Sequence, residues 1–178
     1  MSNYTKITIS GKICTGKTTL FERLEKKLKW KAFKTGQLFR DYVTEHNLNL
    51  NEAEEQNNKL TKKIDNYVKE MLHRTGNLIV DGWLSGISAT GLDNVLKILL
   101  ICKDEIRYKR FAKREKTTLK EATKKVEERQ RSWFKKIEKI HGIKDKALLD
   151  PGIYDLIIDT SYITPQSIVR RVLEELKK

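Results

Sequence analysis

Proline and cysteine are scarce in this chain, with two of each in 178 residues. So few prolines, with no low-complexity tract and no internal repeat, give no sign of a linker between domains. The two cysteines, Cys14 and Cys102, stand far apart in sequence, which argues against a disulfide framework. No run approaches the ~18 apolar residues of a membrane helix, so no membrane association is expected. The first residues, Met1 to Lys6, lack the apolar core of a signal peptide. The chain therefore reads as one domain over 1–178, cytoplasmic and monomeric, with enough apolar residues (38%) for a real core. Acidic residues are also in deficit: 24 against 37 basic ones, a net charge of +13. Between Lys103 and Lys146 there are 17 basic and 8 acidic residues, so +9 of that +13 lies in one stretch. Such a field attracts phosphate, free or on RNA, including a ribosome. A lysine-rich, solvated helix face gives the same composition.

One motif decides most of the reading. Gly11-Lys12-Ile13-Cys14-Thr15-Gly16-Lys17-Thr18, followed by Thr19, fits G-x-x-x-x-G-K-[ST]. Before it, Ile7-Thr8-Ile9-Ser10 reads as a buried strand over about 5–10. After it, Leu20, Phe21, Leu24 and Leu28 recur at helical spacing. A strand, a glycine loop and a helix in that order form a phosphate cradle, since loop amides and the helix N-terminus point at the anion. Lys17 is expected to reach the β- and γ-phosphates and the Thr18 hydroxyl to hold Mg²⁺, which makes ATP with Mg²⁺ the expected cofactor.

Strands and helices alternate along the rest, the pattern of an α/β fold with a parallel sheet and helices on both faces. A second strand is expected through 31–34 and a helix from Gln37 to about His46. Asn47 to Asn51 reads as a break, with Asn51 capping a helix that runs to about His73. Further strands are expected at 78–80, 98–101 and 154–158. A helix opens near Asp104. After Thr118 a long one carries Leu119, Ala122, Val126, Trp133, Ile137 and Ile140 on one stripe. The closing helix spans Ser167 to Leu176, with Thr164-Pro165 at its start. Asp81, which ends an apolar strand before Gly82, fits an acid that orients Mg²⁺ through water; an acid opening a turn reads the same way. Arg129 falls on the apolar stripe, so it needs a partner, either a bound phosphate or an internal carboxylate. Trp83 is placed either to stack on a base or to fill the core. Cys14 stands before a helix N-terminus and near Lys17, surroundings that favour a thiolate; a small inert side chain is the alternative.

Four stretches together resemble the nucleoside monophosphate kinases, and within them the short, archaeal-like cytidylate kinases. They are the glycine loop; Thr35-Gly36-Gln37-Leu38-Phe39-Arg40; Arg107 to Glu115; and Glu128-Arg129 with His141-Gly142-Ile143 and Tyr154 to Ser161. The resemblance implies a three-layer P-loop fold whose five parallel strands run in the order 2-3-1-4-5. It implies a monophosphate-binding helical segment at about 35–75 and a lid at about 107–131. It further implies transfer of a phosphoryl group from ATP to a nucleoside monophosphate, CMP or dCMP first among them. Thr35, Arg40, Asp81, Gly82 and Trp83 then face the acceptor, while Lys17, Arg110, Arg114 and Arg129 carry the transferring charge. Arginine suits that task, because its planar fork grips phosphate oxygens in pairs and keeps its charge. The chain departs from the family at Cys14, where a glycine is usual, and at Trp83, Phe134 and Lys136, where arginines are usual. Those departures leave a second reading open: a kinase-like NTPase or pseudokinase that uses its basic surface on RNA or a ribosome.

Overall fold

The computed structural model describes residues 4–45 and 58–178, and of Phe39, Arg40, Tyr42 and Val43 only the backbone. The first strand, β1 (Lys6–Gly11), is buried along its whole length and is the sheet's central member. Its side chains alternate across the two faces. Ile7 and Ile9 join Leu20, Phe21 and Leu24 of α1 (Lys17–Leu28) and Ile168, Val169 and Val172 of α8 (Pro165–Glu175) in the larger core. Each such side chain, fully buried, contributes roughly 1.5–3 kcal/mol.

β2 (Lys31–Lys34), β3 (Leu78–Asp81), β4 (Val95–Ile101) and β5 (Leu156–Asp159) complete five parallel strands in the order β2-β3-β1-β4-β5. The opposite face is covered by α3 (Asn58–His73), whose Val68 and Leu72 pack on Leu78, Val80 and Val95. Helices on both faces explain why β1, β3 and β4 are near-continuous apolar runs. In register, Ile9 lies beside Asp81 on one side and Ile98 on the other, and Gly11 lies beside Leu100. The chain leaves β1 toward β2 on one flank and reaches β4 on the other. The glycine loop therefore sits at the switch point, outside the carboxyl ends of the strands, where α/β sheets bind ligands.

Two helices form the basic stretch: α5 (Asp104–Glu115) and α6 (Leu119–His141). Thr118 starts α6 with a reciprocal cap: its hydroxyl accepts from the Glu121 amide at 3.2 Å, and the Glu121 carboxylate accepts from the Thr118 amide at 3.3 Å. Gly142, with φ 68°, ends the helix in the left-handed region. The apolar stripe of α6 begins at Ala122. Leu119, expected on that stripe, is 49% exposed, because it occupies the first helical position, outside the packing of Phe111 on Ala122 and Val126.

Strand and helix bounds otherwise shift by a few residues. β4 starts at Val95, not Ile98, since Val95 and Leu96 pair with Lys6 and Ile7. β5 covers Leu156–Asp159, pairing with Ile98–Ile101. α2 (Thr35–Glu45) begins at Thr35, directly after β2, and α8 begins at Pro165. The short helices α4 (Ser85–Ser88) and α7 (Asp145–Leu148) carry no periodic signal and escaped sequence reading. The expected break at 47–51 and the Asn51 cap lie outside the described residues. Among the described residues no helix is long and apolar enough to cross a membrane.

Candidate active site

The glycine loop folds as the motif requires. Gly11 leaves β1 at φ 145°, and a β-carbon there would stand 2.4 Å from the Leu100 carbonyl oxygen, so only glycine fits. Cys14 also has positive φ, 61°, unusual for a residue with a side chain. Thr15 steadies the turn by donating its hydroxyl to the Lys12 carbonyl at 2.9 Å. Gly16, at φ 99°, caps α1. Lys17 is the first residue of α1 and folds back across the loop. Its ammonium donates to the carbonyls of Gly11 at 2.7 Å and Lys12 at 2.9 Å. Burial lowers its pKa from the usual lysine range, and the Asp81 carboxylate opposes that shift.

A cavity of about 450 Å³ opens beside Lys17. From the loop side it is lined by Ile13, Cys14, Lys17 and Thr18, and from the end of β3 by Asp81, Gly82 and Trp83. Thr35 and Gly36 at the start of α2, Arg114 of α5 and Arg129 of α6 also line it. The sheet edge explains this convergence. The Gly82 amide donates to the Ile9 carbonyl at 3.2 Å, which fixes the β3 exit beside β1. Thr35 donates its hydroxyl to the Asp81 carbonyl at 3.2 Å, and a β-carbon on Gly82 would collide with that threonine at 2.8 Å. Glycine at 82 is thus what lets α2 approach the strand end.

Arg110 and Arg114 of α5 part company. Arg114 reaches the main cavity, lies over the Phe111 ring at 5.1 Å and bonds Glu115 at 2.8 Å. Arg110, one helical turn earlier, lines a smaller cavity of about 170 Å³ with Thr15, Gly16 and Thr19. Its guanidinium donates to the Thr160 hydroxyl at 3.1 Å and the Thr160 carbonyl at 2.6 Å. The Thr160 hydroxyl in turn donates to the Thr15 carbonyl at 2.8 Å. Arg129 is half-buried and lines the main cavity. The side chain of Arg40 lies outside the described residues.

Trp83 packs against other aromatic rings, and it also lines the cavity. Its ring lies 4.3 Å from that of Trp133, tilted by 32°, and 5.5 Å from Phe134, edge-on. The Lys17 ammonium lies 5.4 Å from the Trp83 ring. Aromatic side chains therefore fill the region where family arginines are usual. For Cys14 the surroundings favour the inert alternative. Burial raises its pKa, and this outweighs the opposing charges of Arg114, Lys17, Arg107 and Arg110.

Three participants escaped the sequence reading. Arg107 is 1% exposed and bridges three elements. It donates to the Ile13 carbonyl at 2.7 Å and to Gln130 of α6 at 2.7 Å, and it pairs with Asp104. Its position facing the core, four residues before Phe111, was the available signal. Thr160 follows the last strand, inside the Tyr154 to Ser161 stretch that carries the resemblance, but its residue type points to no role there. Asp65 lines the main cavity and could have been found, because Thr61, Ile64, Asp65, Val68 and Leu72 follow one helical stripe.

A family model described as an AAA domain matches residues 7–132. A cytidylate kinase of Methanopyrus kandleri is 34% identical, over 87% of this chain and 84% of its own. A cytidylate kinase of Sulfolobus acidocaldarius is 30% identical, over 94% of this chain and 92% of its own. Among solved structures, shikimate kinase of Acinetobacter baumannii superposes with a TM-score of 0.62 over 98% of this chain and 93% of its own, at 12% identity. That last likeness is one of fold.

Proposed function

The chain belongs to the cytidylate kinase family of P-loop kinases, and we propose that it transfers the γ-phosphoryl of ATP to CMP or dCMP, giving ADP and the diphosphate. The observation that carries this reading is that one cavity gathers Lys17 and Thr18 of the loop with Thr35, Arg114 and Arg129. Phosphoryl transfer needs two polyanions brought in line, with cations placed where charge gathers and water kept out. Lys17 sits at the triphosphate end and serves the transferring group. Arg114 and Arg129, from the two lid helices, neutralise the equatorial oxygens. Thr35 and the α2 residue Arg40 hold the acceptor phosphate. Arg110 acts from behind, fixing the loop through Thr160. The stretch of about 35–75 is the acceptor-binding segment, and about 107–131 the lid that excludes water.

The donor set suits Mg²⁺. The Thr18 hydroxyl and Asp81 carboxylate line the same cavity, an oxygen pair of the kind a hard cation takes alongside water and substrate phosphate. Bound there, Mg²⁺ supplies charge that offsets the repulsion between the phosphates.

A coupled assay of ADP release against a panel of monophosphates tests the reading. CMP or dCMP is expected to give the highest kcat/KM. Turnover of ATP without any acceptor dependence overturns it. Calorimetry on Arg40→Ala tests the half-sites, with weaker CMP binding and unchanged ATP binding expected.

A second reading concerns a larger polyanion. Lys109, Lys113, Lys120, Lys124, Arg131 and Lys135 are all exposed on α5 and α6. These cations fit RNA, and binding through them is expected to weaken steeply with salt. Titration of labelled single-stranded RNA at rising salt tests it; binding that ignores salt rules it out.

A further inference from the structure

Lys17 is held on two sides, by the glycine loop and by an aromatic ring. An ammonium has three donors. Two go to the carbonyls of Gly11 at 2.7 Å and Lys12 at 2.9 Å. The ammonium also lies over the Trp83 ring, 5.4 Å from its centroid, within the ~6 Å at which a ring face attracts a cation. The ring is itself braced. Trp133 packs on it at 4.3 Å and Phe134 meets it edge-on at 5.5 Å. It also packs against the cluster of Ile13, Phe111, Ala122 and Val126. Of the charged groups nearby, Asp81 attracts the ammonium, whereas Arg107 and Arg129 repel it. The ring therefore adds attraction at a position where another cation would add repulsion.

We propose that Trp83 is a positioning residue for Lys17: its indole face keeps the ammonium over the cavity while the loop carbonyls give way to the phosphates of the nucleotide. The consequence for turnover rests on the kinase reading above. Lysine carries a compact charge on a flexible four-carbon stem, so an unbraced ammonium is spread over many positions. Its bonds to the two carbonyls are directional, and the ammonium must loosen them to meet phosphate oxygens. Attraction to a ring face is spread over the π-system and survives a small shift of the cation. Trp83 thus reduces the ordering cost of the contact that Lys17 makes to the triphosphate. The aromatic cluster at this end of the cavity then has a task beyond packing, which is to aim the one lysine that the loop supplies to the cavity.

Trp83→Leu is a poor test, because it also removes the stack on Trp133. The better one replaces Trp83, and no other tryptophan, by its mono-, di- and trifluorinated forms. Fluorine draws electron density from the ring face and weakens its hold on a cation, while the shape of the ring is nearly kept. Calorimetry gives ATP affinity, ADP release with CMP gives turnover, and thermal unfolding gives stability. ATP affinity and kcat should fall stepwise with each fluorine, by ~5- to 30-fold over the series, while the melting temperature and the KM for CMP stay unchanged. In Lys17→Met, which keeps the stem and removes the charge, the same series should leave ATP affinity level. A level series in the protein that retains Lys17 overturns the positioning role. An equal fall in the Lys17→Met background overturns it too, since the ring would then act on the nucleotide directly. So does a melting temperature that drops in step with affinity, which assigns the effect to packing. The affinity series involves no acceptor. If no monophosphate is phosphorylated, the kinase reading fails and the series still decides the role of Trp83.

Discussion

Arg110 grips Thr160 twice, at the hydroxyl (3.1 Å) and at the carbonyl (2.6 Å), and Thr160 donates to the Thr15 carbonyl at 2.8 Å. The end of β5, the helix α5 and the glycine loop are thereby one hydrogen-bonded unit. An arginine engaged in this way holds the loop in shape. Thr160→Val keeps the side-chain volume but removes the hydroxyl, leaving buried groups of Thr15 and Arg110 short of a partner. That loss is about 1–3 kcal/mol, so ATP affinity should fall ~10-fold or more. Calorimetry with ATP measures it, and an unchanged Kd sinks the idea.

Trp83 stands where an arginine is usual in the family, and restoring that arginine should harm the protein. The new cation would lie near Lys17 and Arg129, and the stack on Trp133 (4.3 Å) would be lost. Trp83→Arg should cost about 2–4 kcal/mol of stability, from lost packing and a half-buried charge. It should also bind CMP no more tightly. Urea denaturation and CMP titration decide this; a variant that is stable and binds CMP better shows that the aromatic cluster is a replaceable filler.

The glycine loop was legible because its signal is local: a β-branched strand, fixed glycines and a helical stripe lie within about 25 residues. The order of the strands followed only from the resemblance, since pairing is set by contacts distant in sequence. Leu119 misled, because periodicity cannot tell the first exposed turn of a helix from its packed middle. Arg110 and Arg114 line different cavities, which spacing alone does not show. Helical spacing puts them on one face, but Thr160, 46 residues beyond Arg114, draws the first aside. Asp65 lies on the inward stripe of α3, but its partner His141 is 76 residues away, so the stripe alone does not show what the acid meets. Arg107 belongs to the same class: a charge whose partners, Ile13 and Gln130, are 94 and 23 residues away.

Lys17 should dominate turnover. Removing its ammonium takes a cation from a desolvated site, where such contacts are worth the most, so Lys17→Ala should lower kcat by at least ~10²-fold. Its proton also sets a pH limit. Burial lowers its pKa and Asp81 raises it, so activity should decline on the alkaline side below the usual lysine range. Asp81→Asn removes the opposing charge, which lowers the Lys17 pKa further and moves the alkaline limb to lower pH. A pH–rate series on both proteins checks the sign; a limb that moves upward refutes the coupling of the two groups.

Cys14 offers a chemical probe of the same loop. The thiolate is the reactive form, and a free thiol loses its proton near pH ~8.5. In this loop burial raises the pKa, and the nearby Arg114 and Lys17 recover only part of the shift. At pH 7 the thiolate fraction is therefore below that of a free cysteine. A small alkylating reagent should label Cys14 more slowly than it labels glutathione, and the rate should climb with pH past the point where glutathione levels off. Arg114→Ala removes the largest opposing charge, so labelling at a fixed pH should slow further. ATP with Mg²⁺ should protect the thiol by covering the loop, whereas Cys102, which is half-buried and accepts from Arg110 at 3.4 Å, should show no such protection. Peptide mass spectrometry separates the two sites. Labelling of Cys14 at pH 7 that outpaces glutathione would mean that the charges, and not burial, govern this thiol.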